Sequence, residues 1–360
     1  MKTLFENTER AFFLKSDSEL ERAYFLFKMI AKEPLVRIGT AVTKFALQAR
    51  LPVEGLIRST VFDHFCGGVN EEDCITTVEN LSKMGVHAVL DYSVEGKENE
   101  AQFDATRDKV IALTQFAKDN PQMPFSVFKP TGLGRFKIWE KVSAGTKLSD
   151  SEEEEWTRIQ ARYDAICKEA QACNVALLID AEESWMQDAA DLLCEQMMAK
   201  YNTKNVIVYN TLQCYRHDRV NYLKTLHEKA SKAGFKLGFK VVRGAYMEKE
   251  NERAQEIGYA SPICKNKQAT DALYNEAVQY ILDNLKDISL FLGTHNEAST
   301  YLAMEIMEAK GLLKNAKQIW FGQLYGMSDH ISFNLAHEGY NVAKYIPFGP
   351  VKDVMPYLIR

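Results

Sequence analysis

The sequence has no apolar run long enough to cross a membrane, no surplus of basic residues and no paired cysteine motif. Its longest apolar runs, such as VALLI at 175–179, fall far short of the ~20 residues that span a bilayer. The net charge of −5 comes without a dense Lys/Arg face, so nothing attracts a nucleic-acid backbone. We therefore expect a chain without a transmembrane helix or a nucleic-acid partner.

The sequence also lacks the patterns of a metal site and of an N-terminal targeting peptide. The seven cysteines form no CxxC pair and are odd in number, which is typical of free thiols in a reducing compartment and disfavours disulfides or a zinc site. The N-terminus has early acidic residues and no apolar core, unlike a secretory signal or a transit peptide. We predict no metal site and a cytoplasmic chain that folds where it is made.

What is present is an alternation of short apolar runs and amphipathic segments between residues 75 and 349. The eight runs are HAVLDYS (87–93), FSVFKPTGL (125–133), VALLIDAEE (175–183), NVIVYNTLQ (205–213), FKLGFKVVRGAY (235–246), ISLFLGTHN (288–296), AKQIWFGQLYG (316–326) and NVAKYIPFG (341–349). Such alternation predicts a parallel sheet covered by helices, and eight units match the ~250 residues of a (β/α)8 TIM-type barrel. An open doubly wound sheet is the alternative, but it favours a glycine-rich loop after its first strand, and LDYSVEG is not one.

Residues 1–60 show no strand-like run. Helical patterns occupy 20–32 and 39–49, and Pro34 and Pro52 follow them. We predict a helical N-terminal arm (1–60) that packs on a catalytic barrel (61–360).

Polar residues collect where the predicted strands end. They are Lys129, Asp180, Glu182, Glu183, Gln213, Lys240, Arg243, Tyr246, Thr294, His295, Asn296, Gln323 and Tyr345. Barrel enzymes place their chemistry at these strand ends, so we expect a cationic and aromatic pocket for a small anionic substrate. A Schiff-base lyase or aldolase using Lys129 or Lys240 fits the same residues, and so does a non-catalytic binding barrel.

The strand-end segments also carry a resemblance. VFKPTG, LLIDAEESW, YNTLQCY, KVVRGAYMEKE, GTHN, FGQLYGM, YIPFGPV and PYLIR, taken in order over about residues 60–360, resemble the proline dehydrogenase family, and more closely its eukaryotic-type members than the large bifunctional bacterial enzymes. The resemblance implies a distorted (β/α)8 barrel and FAD-dependent oxidation of L-proline to Δ1-pyrroline-5-carboxylate, by hydride transfer from proline C5 to flavin N5. It further implies reoxidation by a membrane quinone, peripheral contact with the inner face of the membrane, and a pyrroline-5-carboxylate dehydrogenase as a downstream partner.

The resemblance assigns the substrate side of the site. Lys129 and Arg360 would clamp the proline carboxylate, and Asp180 would orient these cations. The pyrrolidine ring would be walled by Ala245, Tyr246, Leu324, Tyr345 and Tyr357. The size of Tyr345 leads us to expect a preference for proline over 4-hydroxyproline.

The cofactor side follows in the same way. Lys240 stands where many members have an arginine near flavin N5, as in the eukaryotic-type variant, and we expect it to act in catalysis together with Asp180. Gln213 would bond the pyrimidine edge of the flavin. The rest of the FAD would be held by Ala181, Arg243, Gly244, Ala245, Thr294 and His295.

The last residues, VKDVMPYLIR, have the spacing of a helix with Val354, Tyr357 and Leu358 on one face. The family's final helix usually continues as YLxRR. We therefore expect that Arg360 is the first arginine of a pair and that the native chain is longer.

Overall fold

The barrel predicted from the sequence is present in the computed structural model, which describes residues 3–32, 55, 58–93 and 98–359. All eight predicted strands are confirmed. They are β1 (His87–Tyr92), β2 (Phe125–Phe128), β3 (Ala176–Ile179), β4 (Val208–Gln213), β5 (Leu237–Val242), β6 (Ile288–Gly293), β7 (Ile319–Leu324) and β8 (Val342–Phe348).

The strands form one parallel sheet in the order β1-β8-β7-β6-β5-β4-β3-β2. The ring closes between β1 and the start of β2, where the Ala88 amide donates to the Gln122 carbonyl over 2.8 Å. The barrel is distorted between β3 and β4, which pair over only two positions, at Leu177 and Leu178. The expectation of a closed, distorted barrel rather than an open sheet is therefore confirmed.

Helices cover the outside of the sheet. They are α1 (Thr8–Phe12), α2 (Asp17–Ile30), α3 (Asp63–Phe65), α4 (Glu71–Lys83), α5 (Glu100–Lys118), α6 (Phe136–Ser143), α7 (Asp150–Cys173), α8 (Ser184–Tyr201), α9 (Arg219–Ala233), α10 (Met247–Ile257), α11 (Lys267–Asp283), α12 (Glu297–Ala309), α13 (Asp329–His337) and α14 (Val351–Ile359). Asparagine caps start several of them: Asn99 accepts from the Gln102 amide and Asn266 from the Ala269 amide. Left-handed Asn174 and Gly234 end α7 and α9, as αL caps do.

The lower interior of the barrel is filled by aromatic rings. Phe125 makes edge contacts with Tyr209, Phe291 and Trp320, with ring centroids 5.2–5.8 Å apart. Phe291 in turn lies against Tyr345, whose ring is 5.8 Å away. This floor closes the barrel from below and leaves open only the end where the strands finish.

The N-terminal segment packs on the barrel. Ala11 in α1 is fully buried, and the side chain of Asn334 in α13 donates to the Asn7 carbonyl. The helix predicted at 20–32 corresponds to most of α2, over residues 20–30. The helix predicted at 39–49 lies outside the described residues.

The C-terminal helix α14 packs against the segment 58–66. Val354 is fully buried in a cluster with Phe62 and Cys66, and Leu358 packs on this cluster. In the part of the chain that the structure describes, no helix is both long and apolar enough to cross a membrane.

Candidate active site

A cavity of about 510 Å³ opens at the carboxyl ends of the strands. Thirteen of the fifteen residues predicted for the site line it: Lys129, Asp180, Ala181, Gln213, Lys240, Arg243, Gly244, Ala245, Tyr246, Thr294, His295, Leu324 and Tyr345. Of the other two, Arg360 lies outside the described residues, and only the backbone of Tyr357 is described, within α14. The structure thus brings the predicted residues into one place.

Two acidic and two basic side chains joined by salt bridges form a row along one side of the cavity, which we call the ionic row: Asp91, Lys129, Asp180 and Lys240. Lys129 Nζ lies 3.1 and 3.0 Å from the two carboxylate oxygens of Asp91 and 3.5 Å from Asp180 Oδ2. The other oxygen of Asp180 accepts a hydrogen bond from Lys240 Nζ. Negative and positive groups therefore alternate from β1 to β5.

The charges in this row support one another. Burial alone would lower the pKa of Lys129, but Asp91 and Asp180 raise it above its ordinary value. Burial would raise the pKa of Asp180, but Lys240 and Lys129 hold it below its ordinary value. At neutral pH Lys129 is an ammonium group and Asp180 a carboxylate, so this part of the cavity can bind both charges of a zwitterion.

Tyr345 extends the row on β8. Lys240 Nζ donates to its hydroxyl over 3.1 Å and lies 4.7 Å from the centre of its ring. Tyr246, which is 9% exposed, and the half-buried Leu324 line the same cavity. These side chains give the charged groups an apolar border that excludes water.

The ends of β4 to β7 contribute a second, uncharged surface, which we call the neutral wall: Gln213, Gly244, Gly293 and Gly322. Gly293 and Gly322 are register partners on β6 and β7. A Cβ atom at Gly322 would lie 2.1 Å from the Phe291 ring, and one at Gly244, where φ is +133°, would lie 2.5 Å from the Tyr215 ring. The wall is therefore flat, and a planar group can approach its backbone closely.

Gln213 carries the polar contact of this wall. Its amide nitrogen donates to the Glu182 carbonyl over 3.0 Å. Its Oε1 is buried and has no hydrogen-bond partner among the described residues. A buried acceptor of this kind is costly unless a bound ligand donates to it.

Arg243 is held rigidly at the edge of the cavity. Its guanidinium donates to Asp271, Thr294 and Ser299 over 2.8–3.0 Å and lies 4.4 Å from the centre of the Tyr274 ring. Lys267, which also lines the cavity, pairs with the same Asp271. Two cations share one carboxylate, so this edge has a net positive charge suited to an anionic group.

His295 acts here as a hydrogen-bonding histidine. Its Nε2 accepts from the Leu324 amide over 3.5 Å, and its Nδ1 lies 2.9 Å from the Ser328 hydroxyl. Within the described ranges, no group of three or more His, Cys, Asp or Glu side chains is placed to hold a metal ion.

Glu182 links the two loops that carry Lys129 and Asp180. Its carboxylate accepts from the amide and the hydroxyl of Thr131, over 2.9 and 2.7 Å. Burial raises the pKa of Glu182 to about 7, although both hydrogen bonds oppose this shift.

Several residues of the site were not predicted, among them Asp91, Lys267, Phe291, Gly293 and Gly322. Asp91 is an acidic residue inside an otherwise apolar first strand run, and this signal was available in the sequence. Phe291 and Gly322 gave no comparable signal, because their role depends on a contact between neighbouring strands.

Comparison with known proteins agrees with this geometry. Residues 74–360 match the family model for proline dehydrogenase. The chain is 34% identical to the carbapenem antibiotics biosynthesis protein CarD of Pectobacterium carotovorum subsp. carotovorum, over 93% of this chain and 87% of that protein. It is 33% identical to mitochondrial proline dehydrogenase 1 of Arabidopsis thaliana (95% and 78%) and 30% identical to hydroxyproline dehydrogenase of Xenopus laevis (97% and 83%).

Among solved structures, proline utilization A of Bdellovibrio bacteriovorus inactivated by N-propargylglycine superposes with a TM-score of 0.75 at 21% identity. The match covers 85% of this chain but only 33% of that one, and at this identity it shows a shared fold. The match to the family model and the relatives that align along most of their length show the family as well as the fold. The chain is an enzyme of the proline dehydrogenase family.

Proposed function

We propose that this enzyme oxidises L-proline to Δ1-pyrroline-5-carboxylate with FAD as the cofactor. The observation that carries the proposal is the pairing, in one cavity, of an ionic row suited to a zwitterion with a neutral wall suited to a planar ring. Bound FAD would supply a hydride acceptor for C5 of the substrate, which no side chain can do.

The residues of the cavity fit FAD. The partnerless Oε1 of Gln213 is an acceptor for an N–H group of the flavin, and the glycines of the neutral wall admit the ring system. Arg243 and Lys267 supply positive charge for the pyrophosphate. Ala181, Ala245, Thr294 and His295 would complete this half of the site.

On the substrate side, Lys129 would bind the carboxylate of proline. Asp180 would hold Lys129 and Lys240 in place through its two oxygens. Ala245, Tyr246, Leu324 and Tyr345 would hold the pyrrolidine ring, and Tyr357 and Arg360 would close the site as the family resemblance implies. Lys240 would place a cation beside the reacting centre, where it favours an anionic reduced cofactor.

The ionisation of the lysines disfavours a Schiff-base lyase. A nucleophilic lysine needs a lowered pKa, whereas the pKa of Lys129 is raised and Lys240 is paired with Asp180. Burial does lower the pKa of Lys344, but its Nζ bonds to the carbonyls of Leu324 and Met327 and pairs with Asp329, and it does not line the cavity. Neither of the two lysines considered for imine formation, Lys129 and Lys240, is therefore prepared for it.

We propose from the family resemblance that the reduced cofactor passes its electrons to a quinone, through peripheral contact with a membrane from the cytoplasmic side. A pyrroline-5-carboxylate dehydrogenase would then consume the product.

Anaerobic titration of the FAD-loaded enzyme tests the central proposal. We expect L-proline to bleach the flavin absorption and trans-4-hydroxyproline to do so far less efficiently, because Tyr345 fills the space beside the ring. A colourless protein that does not take up FAD, or a flavin that proline leaves oxidised, would refute the proposed reaction. If both substrates reduce the flavin with equal efficiency, the role given to Tyr345 is wrong, but the proposed reaction still holds.

A further inference from the structure

Asp91 is the one member of the ionic row without a role in the proposed reaction. Only 4% of its surface is exposed, and it lines the cavity. Its carboxylate accepts from Lys129 and, over 2.8 Å, from the Ser93 hydroxyl. Both partners hold the carboxylate in place, so its charge has a defined position beside Lys129.

The charge balance of the row depends on Asp91. Asp180 alone already contacts both Lys129 and Lys240. With Asp180 as the only carboxylate, the row would have a net charge of +1 and would favour any small anion. With Asp91 the row sums to zero, although burying a second carboxylate costs free energy.

Asp91 lies close enough to Lys129 for its negative charge to act on a ligand that binds there. Lys129 Nζ donates to both carboxylate oxygens of Asp91 and lies 3.5 Å from Asp180 Oδ2. A ligand carboxylate that contacts this ammonium group from the cavity is then separated from Asp91 only by the ammonium group itself. Asp91 therefore repels an anion bound at Lys129 and attracts a cationic amine nearby.

We propose that Asp91 is a specificity-determining residue, which shifts the preference of the cavity from simple carboxylates toward zwitterionic amino acids. The inference rests on the proposed function, because it takes the ligand of Lys129 to be the carboxylate of an amino acid.

The test is Asp91→Asn in the FAD-loaded enzyme, since asparagine keeps the shape and one acceptor but removes the charge. Three probes are used at neutral pH. The anion cyclopentanecarboxylate and the cation pyrrolidine are titrated by calorimetry, and the apparent affinity for L-proline is taken from the concentration dependence of anaerobic flavin reduction. Removing one charge about 6 Å away changes affinity by about 100-fold at an effective dielectric constant near 20. We expect cyclopentanecarboxylate to bind about 100-fold more tightly, pyrrolidine about 100-fold more weakly, and proline to change by less than either.

Ser93→Ala is the matched control, because it removes a hydrogen bond to Asp91 and leaves the charge. Its ratio of anion to cation affinity should stay within about threefold of the wild-type ratio. If Asp91→Asn changes all three affinities by the same factor, or if the wild-type enzyme binds none of the probes, the inference is wrong. A wild-type enzyme that binds the probes but whose flavin proline does not reduce would instead refute the proposed function, and the probe ratios would still decide the role of Asp91.

Discussion

The ionic row and the neutral wall share one cavity but are built by different means. The row uses two acidic and two basic groups from β1, β2, β3 and β5 in alternating contact. The wall uses three glycines and an amide from the ends of β4 to β7. In the proposed function the charges of the row bind the small zwitterion, and the missing side chains of the wall leave room for the planar flavin ring. A substitution on one side should change the affinity for one ligand and leave the other unchanged.

Lys129→Met is the strongest test of this separation. A charge-assisted hydrogen bond is worth roughly 1.5–3 kcal/mol, and its loss leaves Asp91 and Asp180 facing the proline carboxylate with less compensation. We expect proline affinity to fall about 100-fold, measured by titration of flavin absorbance, with flavin occupancy within about twofold of wild type.

Lys200→Met is the control for Lys129→Met, because Lys200 pairs with Asp164 on the outer surface at 56% exposure. It should change neither affinity. If Lys129→Met instead loses flavin and keeps its proline affinity, the two surfaces have been assigned to the wrong ligands.

Gly244→Ala should act on the other side. The added methyl group meets the Tyr215 ring, and φ = +133° strains any residue other than glycine. We expect the loop to shift and FAD affinity, measured by reconstitution of the apoenzyme, to fall about 30-fold. Gly258→Ala is a close control, since Gly258 also has a positive φ but no atom within 4 Å. It should cost about 1 kcal/mol of unfolding free energy and leave FAD affinity intact; equal loss of FAD in both variants would point to general destabilisation.

Gln213→Leu should have a smaller effect, because it removes one cofactor hydrogen bond without a clash. We expect FAD affinity to fall about tenfold and proline affinity to stay unchanged. Gln323 provides the comparison, as it lines the same cavity but its amide is satisfied by the Thr294 carbonyl and the Ser332 hydroxyl. Gln323→Leu should lower the free energy of unfolding and spare FAD affinity. The reverse pattern would show that the partnerless Oε1 of Gln213 is unrelated to the cofactor.

The two surfaces also differ in how far the sequence predicts them. Lys129, Asp180 and Lys240 could be located in advance, because charged residues next to buried parallel strands face the open end of a barrel. Gly322 could not, since it leaves space for the Phe291 ring on the neighbouring strand and only the folded structure shows this contact.

The fold was more predictable than the site. Strands buried on both faces are continuous apolar runs, and all eight were recognisable for that reason. Asp91 was missed because the segments that carry the family resemblance begin after the first strand run, whereas Lys240, which also lies inside its run, belongs to one of those segments. The short pairing of β3 with β4 depends on how two strands meet in the folded sheet, so the distortion could be expected only from the resemblance.

Glu182→Gln should affect ligand affinity least, because Glu182 joins the loops of Lys129 and Asp180 without lining the cavity. We expect proline and FAD affinities within about twofold of wild type.

The free energy of unfolding should depend on the protonation of Glu182 instead. The raised pKa of about 7 means that between its unfolded value near 4.5 and pH 7 the folded protein binds a proton that the unfolded chain has lost. The contribution of Glu182 to stability is therefore full below pH 4.5 and is lost as pH rises to 7. Wild type should lose about 2–3 kcal/mol more than Glu182→Gln between pH 5 and pH 8 in urea unfolding. An equal loss in both proteins would mean that Glu182 is ionised throughout this range and belongs with the charges of the ionic row.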